Sequence, residues 1–344
     1  MGHLRKNIFA KCLQVVLLIF ACFVICLPAI SRPKGKDKDD FRITPGPALK
    51  QKRVLTFPRD FSLGEIILTE WPPQKGVPQL RGAARGTVVV PPNTLSRLVP
   101  AYHYYKNLNL VDTLPPDGFD SILLAASSLA DSEDGLCDKA LARVGHLKGL
   151  VELDLDRSDA TDAGVAYAAN LPNLQKISAY SAAIEGQSFK RFAGLKHLRC
   201  LRMPRNPVKG ENLQYLQAVP QLEYLSLSRC NLNDEGVRYL SKCSKIISLN
   251  IADNPGITDG SIKYLLTMKQ LKSLMISDTS ISVKGILQLK ALPHCVIDLP
   301  PSKCTAAEYD QLRRAFPQLP PMQKLKTKAN TVSPEDKTLF APLH

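Results

Sequence analysis

The sequence predicts an α/β solenoid: short parallel strands lining a concave sheet, helices on the convex side, and a small β-rich module in front. Three observations carry this. Leu150, Leu174, Leu198, Leu222, Ile246 and Leu271 fall in register at spacings of 24, 24, 24, 24 and 25 residues. Within each unit the front half alternates apolar and polar residues, the period of a strand, while the back half sets apolar residues three and six apart, near one helical face. Only 6% of residues are aromatic against 44% hydrophobic, so the core is aliphatic. A unit of one strand and one helix buries its apolar edge only against its neighbours, so the units must stack.

The columns are continuous. Leu153, Ile177, Leu201, Leu225, Leu249 and Leu274 form the second, and Leu155, Ala179, Met203, Leu227, Ile251 and Ile276 the third. The helical stripe begins at Val165, Phe189, Leu213, Val237, Ile262 and Ile286. Thr161, Asn233, Thr258 and Ser282 stand where a side-chain oxygen caps the helix that follows. An earlier, degenerate coil is expected from Ser121 to Leu147. The single extra residue falls within Asn254–Gly256, where a turn absorbs it.

The residues Leu222-Glu-Tyr-Leu225-Ser-Leu227-Ser-Arg-Cys230-Asn-Leu232 follow the pattern L-x-x-L-x-L-x-x-(N/C)-x-L at every position, and Leu198 to Val208 follow it with Met203 as the substitution. Over roughly residues 120–315 the chain resembles the leucine-rich repeat family. Its Thr161-Asp162-Ala-Gly164-Val165, Asn233-Asp234-Glu-Gly236-Val237 and Thr258-Asp259-Gly segments are similar to the ribonuclease-inhibitor-like and F-box-associated subclass. Bacterial extracytoplasmic proteins of the family share this texture most. The second and third coils depart from it: Ala179 replaces a core Leu, and Ile184-Glu185-Gly186 and Val208-Lys209-Gly210 lack the Thr-Asp pair. Those coils are expected to be locally irregular.

Outside the repeats, residues 1–31 read as a signal peptide or transmembrane anchor. Arg5, Lys6 and Lys11 precede an uncharged stretch from Cys12 to Ser31, just long enough to span a bilayer, and Ala29-Ile30-Ser31 would serve as a cleavage site. Residues 32–60 are expected to be a flexible charged linker, 61–120 the small β-rich module, 121–299 the repeats, 300–318 a cap helix and 319–344 a disordered tail. The chain is thus expected to sit membrane-anchored with its repeats outside the cytoplasm, or to be secreted or periplasmic if the N-terminus is cleaved.

A net charge of +14 is weak evidence for nucleic acid here, because more than half lies in the first 60 residues and the tail. Basic flanks beside an apolar segment meet anionic headgroups more often than DNA. No His-Glu-x-x-His, Gly-x-Ser-x-Gly or P-loop pattern occurs, and no Cys-x-x-Cys, so no enzyme, cofactor, metal or small-molecule substrate is expected. Cys230 and Cys243 fall on structural columns of the repeat, which leaves Cys295 and Cys304 as the pair to test for a disulfide.

Residues alternating with the core Leu face the concave side. Among them Asp154 and Asp156 in the first full coil adjoin Tyr180, Arg202 and Tyr224, and Tyr and Arg anchor interfaces more than other types. These five are the candidate partner-binding residues, and another protein is the expected partner. The alternative is a structural or envelope-organising protein that holds anionic polymer or lipid through its basic tether and tail.

Overall fold

The computed structural model describes residues 41–73, 78–125, 135–292, 294–298, 304–317 and 319, all within one unit, Phe41–His344. The expected anchor at 1–31, linker residues 32–40 and the tail beyond 319 lie outside the described residues. Among the described residues no helix is long and apolar enough to cross a membrane.

Five strands come before the repeats: β1 (Arg53–Thr56), β2 (Gly64–Glu70), β3 (Leu80–Ala83), β4 (Thr87–Val90) and β5 (Thr94–Pro100). Each coil then adds one: β6 (Ser121–Leu123), β7 (Glu152–Asp154), β8 (Lys176–Ser178), β9 (Cys200–Arg202), β10 (Tyr224–Ser226), β11 (Ser248–Asn250), β12 (Ser273–Met275) and β13 (Val296–Asp298). One sheet of 11 strands runs β13-β12-β11-β10-β9-β8-β7-β6-β5-β2-β3. It is parallel from β5 to β13 and antiparallel where β2 meets β5 and β3. Leu153, Ile177, Leu201, Leu225 and Leu249 pair side by side and are buried, as the second column requires.

The β-rich module therefore opens the sheet of the solenoid, because β5 pairs directly with β6. The expected linker at 32–60 needs correction over its second half. β1 pairs antiparallel with β4, Leu55 and Phe57 are buried, and the Arg53 side chain is almost fully enclosed. Its guanidinium meets Asp120 at 2.9 Å and donates to the Thr94 carbonyl at 2.6 Å. The charge pattern of 32–60 masked this strand, since its one inward cation is neutralised by a carboxylate from the first coil. The cap helix covers Ala306–Ala315 and opens on a capping box between Thr305 and Glu308.

The convex side explains the Thr-Asp-x-Gly segments. Thr161, Asn233, Thr258 and Ser282 each accept a hydrogen bond from a backbone N–H in the turn they cap. The aspartates reach the next coil: Asp138 accepts from Thr161 N–H at 2.9 Å and its hydroxyl at 2.5 Å, and Asp259 accepts from Ser282 N–H at 2.8 Å and its hydroxyl at 2.6 Å. The glycine is required by this approach. A Cβ on Gly164 would lie 2.0 Å from an Asp138 carboxylate oxygen, and one on Gly285 would lie 2.2 Å from Asp259.

The second and third coils, which lack the Thr-Asp pair, carry 3-10 helices at Gln187–Gly194 and Gly210–Ala218. Asp162 still caps the former, accepting from the N–H groups of Glu185, Gly186 and Ser188.

Buried asparagines turn the corners after the strands. Asn254 donates to the carbonyls of Leu227, Ile251 and Ala252 and accepts from the N–H groups of Cys230 and Leu232, both at 2.9 Å. Cys230 takes the same position one coil earlier, its thiol donating to the Met203 carbonyl at 3.1 Å. Burial pushes that thiol up to about 11, so it stays a neutral donor at physiological pH. Cys243 is buried in the helical column, and Cys295 and Cys304 are free, half-buried thiols.

Two stability predictions follow from the convex ladder. Gly164→Ala or Gly285→Ala should cost about 2–4 kcal/mol by evicting the aspartate, whereas Gly194→Ala, with open space around its Cβ, should be neutral or slightly stabilising in thermal unfolding. Burial pushes the Asp234 carboxyl up, but hydrogen bonds from Ser261 and Thr258 outweigh it and hold the native value below the ordinary carboxylate range. Stability from Asp234 is thus present above that range and lost as pH falls through the depressed value. The Tm gap between the native chain and Asp234→Asn should be wide at neutral pH and narrow steadily below about pH 4.

Candidate partner-binding face

The concave surface is built where every second strand residue turns inward from the core. Its first coils carry charge, and much of it is already matched. Asp154 is 3% exposed and ion-paired with Arg97 of β5. Burial and the neighbouring Asp156 push its carboxyl above the ordinary range, against the pull of Arg97. Lys176 and Glu152, adjacent in register, pair at 2.9 Å. Asp154 is therefore a structural carboxylate, and its place in the expected binding set is corrected: the side chain of Arg97, from a strand outside the repeat pattern, reaches past β6 to pair with it.

Asp156 is half-buried and turned to the following coil. It accepts from the Ser178 hydroxyl at 2.7 Å and from the Tyr180 N–H at 2.8 Å, which fixes the backbone that presents Tyr180. The Tyr180 hydroxyl accepts from Arg205 at 3.0 Å, and that guanidinium lies 5.8 Å from the ring centroid. Arg202 on β9 stands in register between Ser178 and Ser226, two small neighbours that leave it half-exposed. Tyr180, Arg202 and Arg205 thus come together over two adjacent coils.

Tyr224 is placed differently. Phe41 packs on it edge-to-face with centroids 5.3 Å apart, and the Arg199 guanidinium lies 5.6 Å from the Phe41 centroid. Thr44 is held by the Gln175 carboxamide, which accepts from its N–H and donates to its carbonyl, both at 2.7 Å. Residues 41–44 therefore form a strap across the turns that lead into β8, β9 and β10.

Arg205 and the strap were missed in the sequence. Arg205 belongs to a column with Arg157, Ser181, Arg229, Asp253 and Asp278, all with φ between 55° and 60°. In this left-handed turn the N–H groups of Arg157, Ser181, Arg205, Arg229 and Asp253 still reach the next coil, as Arg205 does to the Ser228 carbonyl at 2.9 Å. The column could be read from the repeat register; the left-handed backbone could not, because none of its residues is glycine. The strap had no signal, since its contacts cross more than 130 positions.

Residues 220–241 match the family model described as a leucine-rich repeat. That stretch is a leucine-rich repeat. The chain is similar to an internalin from Listeria monocytogenes str. 4b F2365, at 16% identity over 53% of this chain and 61% of that one, with a TM-score of 0.39. It therefore spans about three-fifths of that internalin. It is also similar to a leucine-rich-repeat protein of Leptospira interrogans, at 23% identity over 46% of this chain and 39% of that one, TM-score 0.37. Human 5T4 (Wnt-activated inhibitory factor 1, trophoblast glycoprotein) aligns at 20% identity over 60% and 75% of the two chains, TM-score 0.41. Among the described residues no group of three or more His, Cys, Asp or Glu is arranged to hold a metal ion.

The two classes of concave residue separate in one comparison. Asp154→Ala should lower stability by about 2–4 kcal/mol by orphaning Arg97, somewhat under the cost for a fully buried charge because Arg97 is partly exposed. Tyr180→Ala should cost about 1 kcal/mol or less in the same denaturant titration.

Proposed function

We propose that this chain is a non-enzymatic binding module that holds another protein on its concave face, with Tyr180, Arg202 and Arg205 as the anchor and Asp156 as the group that positions it. The observation that carries the reading is the contrast within one face. The carboxylate of Asp154 and the Lys176–Glu152 pair are matched by opposite charges, whereas the exposed Arg205 guanidinium is bonded to the neutral Tyr180 hydroxyl and lies over its ring. Aromatic and Arg side chains held without rotamer freedom lose little entropy on binding, which is why such residues become hot spots. Beyond β10 the face presents Ser228, Ser248, Ser273 and Ser277, small hydroxyl groups that admit close approach by a partner backbone.

Leucine-rich-repeat architecture suits protein–protein interaction, and the specific partner belongs to this proposal. So does the address: the uncharged stretch from Cys12 to Ser31 supports a membrane-tethered or exported chain with its repeats outside the cytoplasm. Nucleic acid is not part of the proposed function.

Crosslinking affinity capture tests the reading, comparing the intact chain with Tyr180→Ala/Arg202→Glu/Arg205→Ala. One protein captured by the intact chain and lost by the equally stable variant is the expected result. Identical captured sets would sink the concave-face proposal. Capture of anionic polymer or lipid that survives in the variant and disappears at high salt would move the function to the basic tether and tail.

A further inference from the structure

The strap does more than cover Tyr224. Between it and the turns leading into β8, β9 and β10 lies a cavity of about 430 Å³, lined by Thr44, Gln175, Lys196, His197, Arg199 and Gln221. It sits outside the concave face and shares none of the anchor residues there. Its walls come from three successive coils, and the strap supplies the fourth side. Gln175 pins Thr44 through both of its carboxamide atoms, and Phe41 at the other end of the strap packs against Tyr224 and Arg199.

The lining has one chemical character. It contains the Lys196 ammonium, the His197 imidazole and the Arg199 guanidinium, the last shared with the Glu223 carboxylate beside it. Two carboxamides and a threonine complete it. Arg199 is anchored to Glu223 at 2.6 Å, which fixes its guanidinium at the cavity edge. Clustered cations with oriented N–H donors favour an oxyanion, and Gln and Thr side chains both donate to and accept from hydroxyl groups. The hollow is open to solvent on one side, so a ligand would lie partly exposed in it.

We propose that this strapped cavity binds a phosphate or sulfate monoester of a small hydroxyl-rich molecule, such as a sugar. The charged group meets Lys196 and Arg199, and the hydroxylated body meets Gln175, Gln221 and Thr44. The monoester could arrive free or as the end group of a larger glycan; the cavity reads the same chemistry in either case.

Titration calorimetry on the full chain, at ionic strength matched with sodium chloride, tests this with glucose 6-phosphate, inorganic phosphate and glucose as probes. Glucose 6-phosphate should bind saturably, more tightly than inorganic phosphate, and glucose should give no saturable heat. Lys196→Glu/His197→Ala alters two exposed side chains on a turn, so the fold should be kept, as circular dichroism would check. Its affinity for glucose 6-phosphate should fall at least about tenfold, the expected size of one lost charge-assisted hydrogen bond. A second variant, Tyr180→Ala on the concave face, should bind as the native chain does.

Three outcomes would overturn the proposal: no saturable binding of glucose 6-phosphate, undiminished binding in the Lys196→Glu/His197→Ala chain, or inorganic phosphate binding as tightly as the ester. A positive result on glucose 6-phosphate can then be extended with a sulfated glycan, where binding that follows the same variant sensitivity identifies the larger source. Loss of partner capture at the concave face leaves these titrations unchanged, so the two readings fail separately.

Discussion

Each coil of this solenoid gives only about three residues to its strand, and the peptide groups at the corners lie beyond the regular ladder. A buried, unpaired peptide group costs about as much as a lost hydrogen bond, so a stack of such coils needs side chains that reach across to the neighbour. Asn206 and Asn254 do this inside the turns, donating to carbonyls of their own and the preceding coil. The convex aspartates do it outside. The apolar columns then stack in one register, because a coil rotated out of line would break both sets of bonds at once. Sequence restraint at Asn, Asp and Gly is therefore as much a part of the fold as the leucines.

The same logic closes the N-terminal end. A solenoid's first coil presents an apolar edge and an unpaired strand, both of which invite association. Here β5 pairs with β6, and β2 and β3 extend the sheet by antiparallel pairing. Arg53 fastens this extension by entering the space behind Asp120, whose carboxylate also accepts from the Ser96 N–H at 2.8 Å. A buried ion pair of this kind adds little net stability over an apolar pair, but only one register satisfies both charges. It specifies how the module meets the first coil.

What could be read from the sequence follows from the range of each interaction. The repeat register, the core columns and all four side-chain caps depend on residues within one 24-residue coil and were legible. The 3-10 character of the second and third coils was not legible, because apolar residues spaced by three and six recur in every coil, including the one that carries the α-helix Asp234–Leu240. Strand β1 was hidden because one of its two inward residues is Arg53, whose partner Asp120 lies outside the strand's own neighbourhood. Asp154 was misplaced for the same reason: register made it a concave residue, but Arg97 comes from a strand that no repeat announces. Local period specifies the scaffold, and long-range charge pairing decides which scaffold groups remain open.

That distinction bears on how the two surfaces work. A charged row along a sheet attracts a partner only to the extent that its charges are unmatched, since a satisfied pair must be broken and desolvated before it contributes. By this measure the first strands of the face, with Arg97–Asp154 and Lys176–Glu152, are inert ground. The open groups lie where the strands end, on Tyr180 and Arg205, and where they begin, around Lys196 and His197 under the strap. The two openings sit at opposite ends of the same three-residue strands. A ligand bound at one, as proposed, would not compete for contacts with a partner at the other, yet both openings rest on β8 and β9. Rigid stacking lets one short stretch of sheet serve as the shared floor of both.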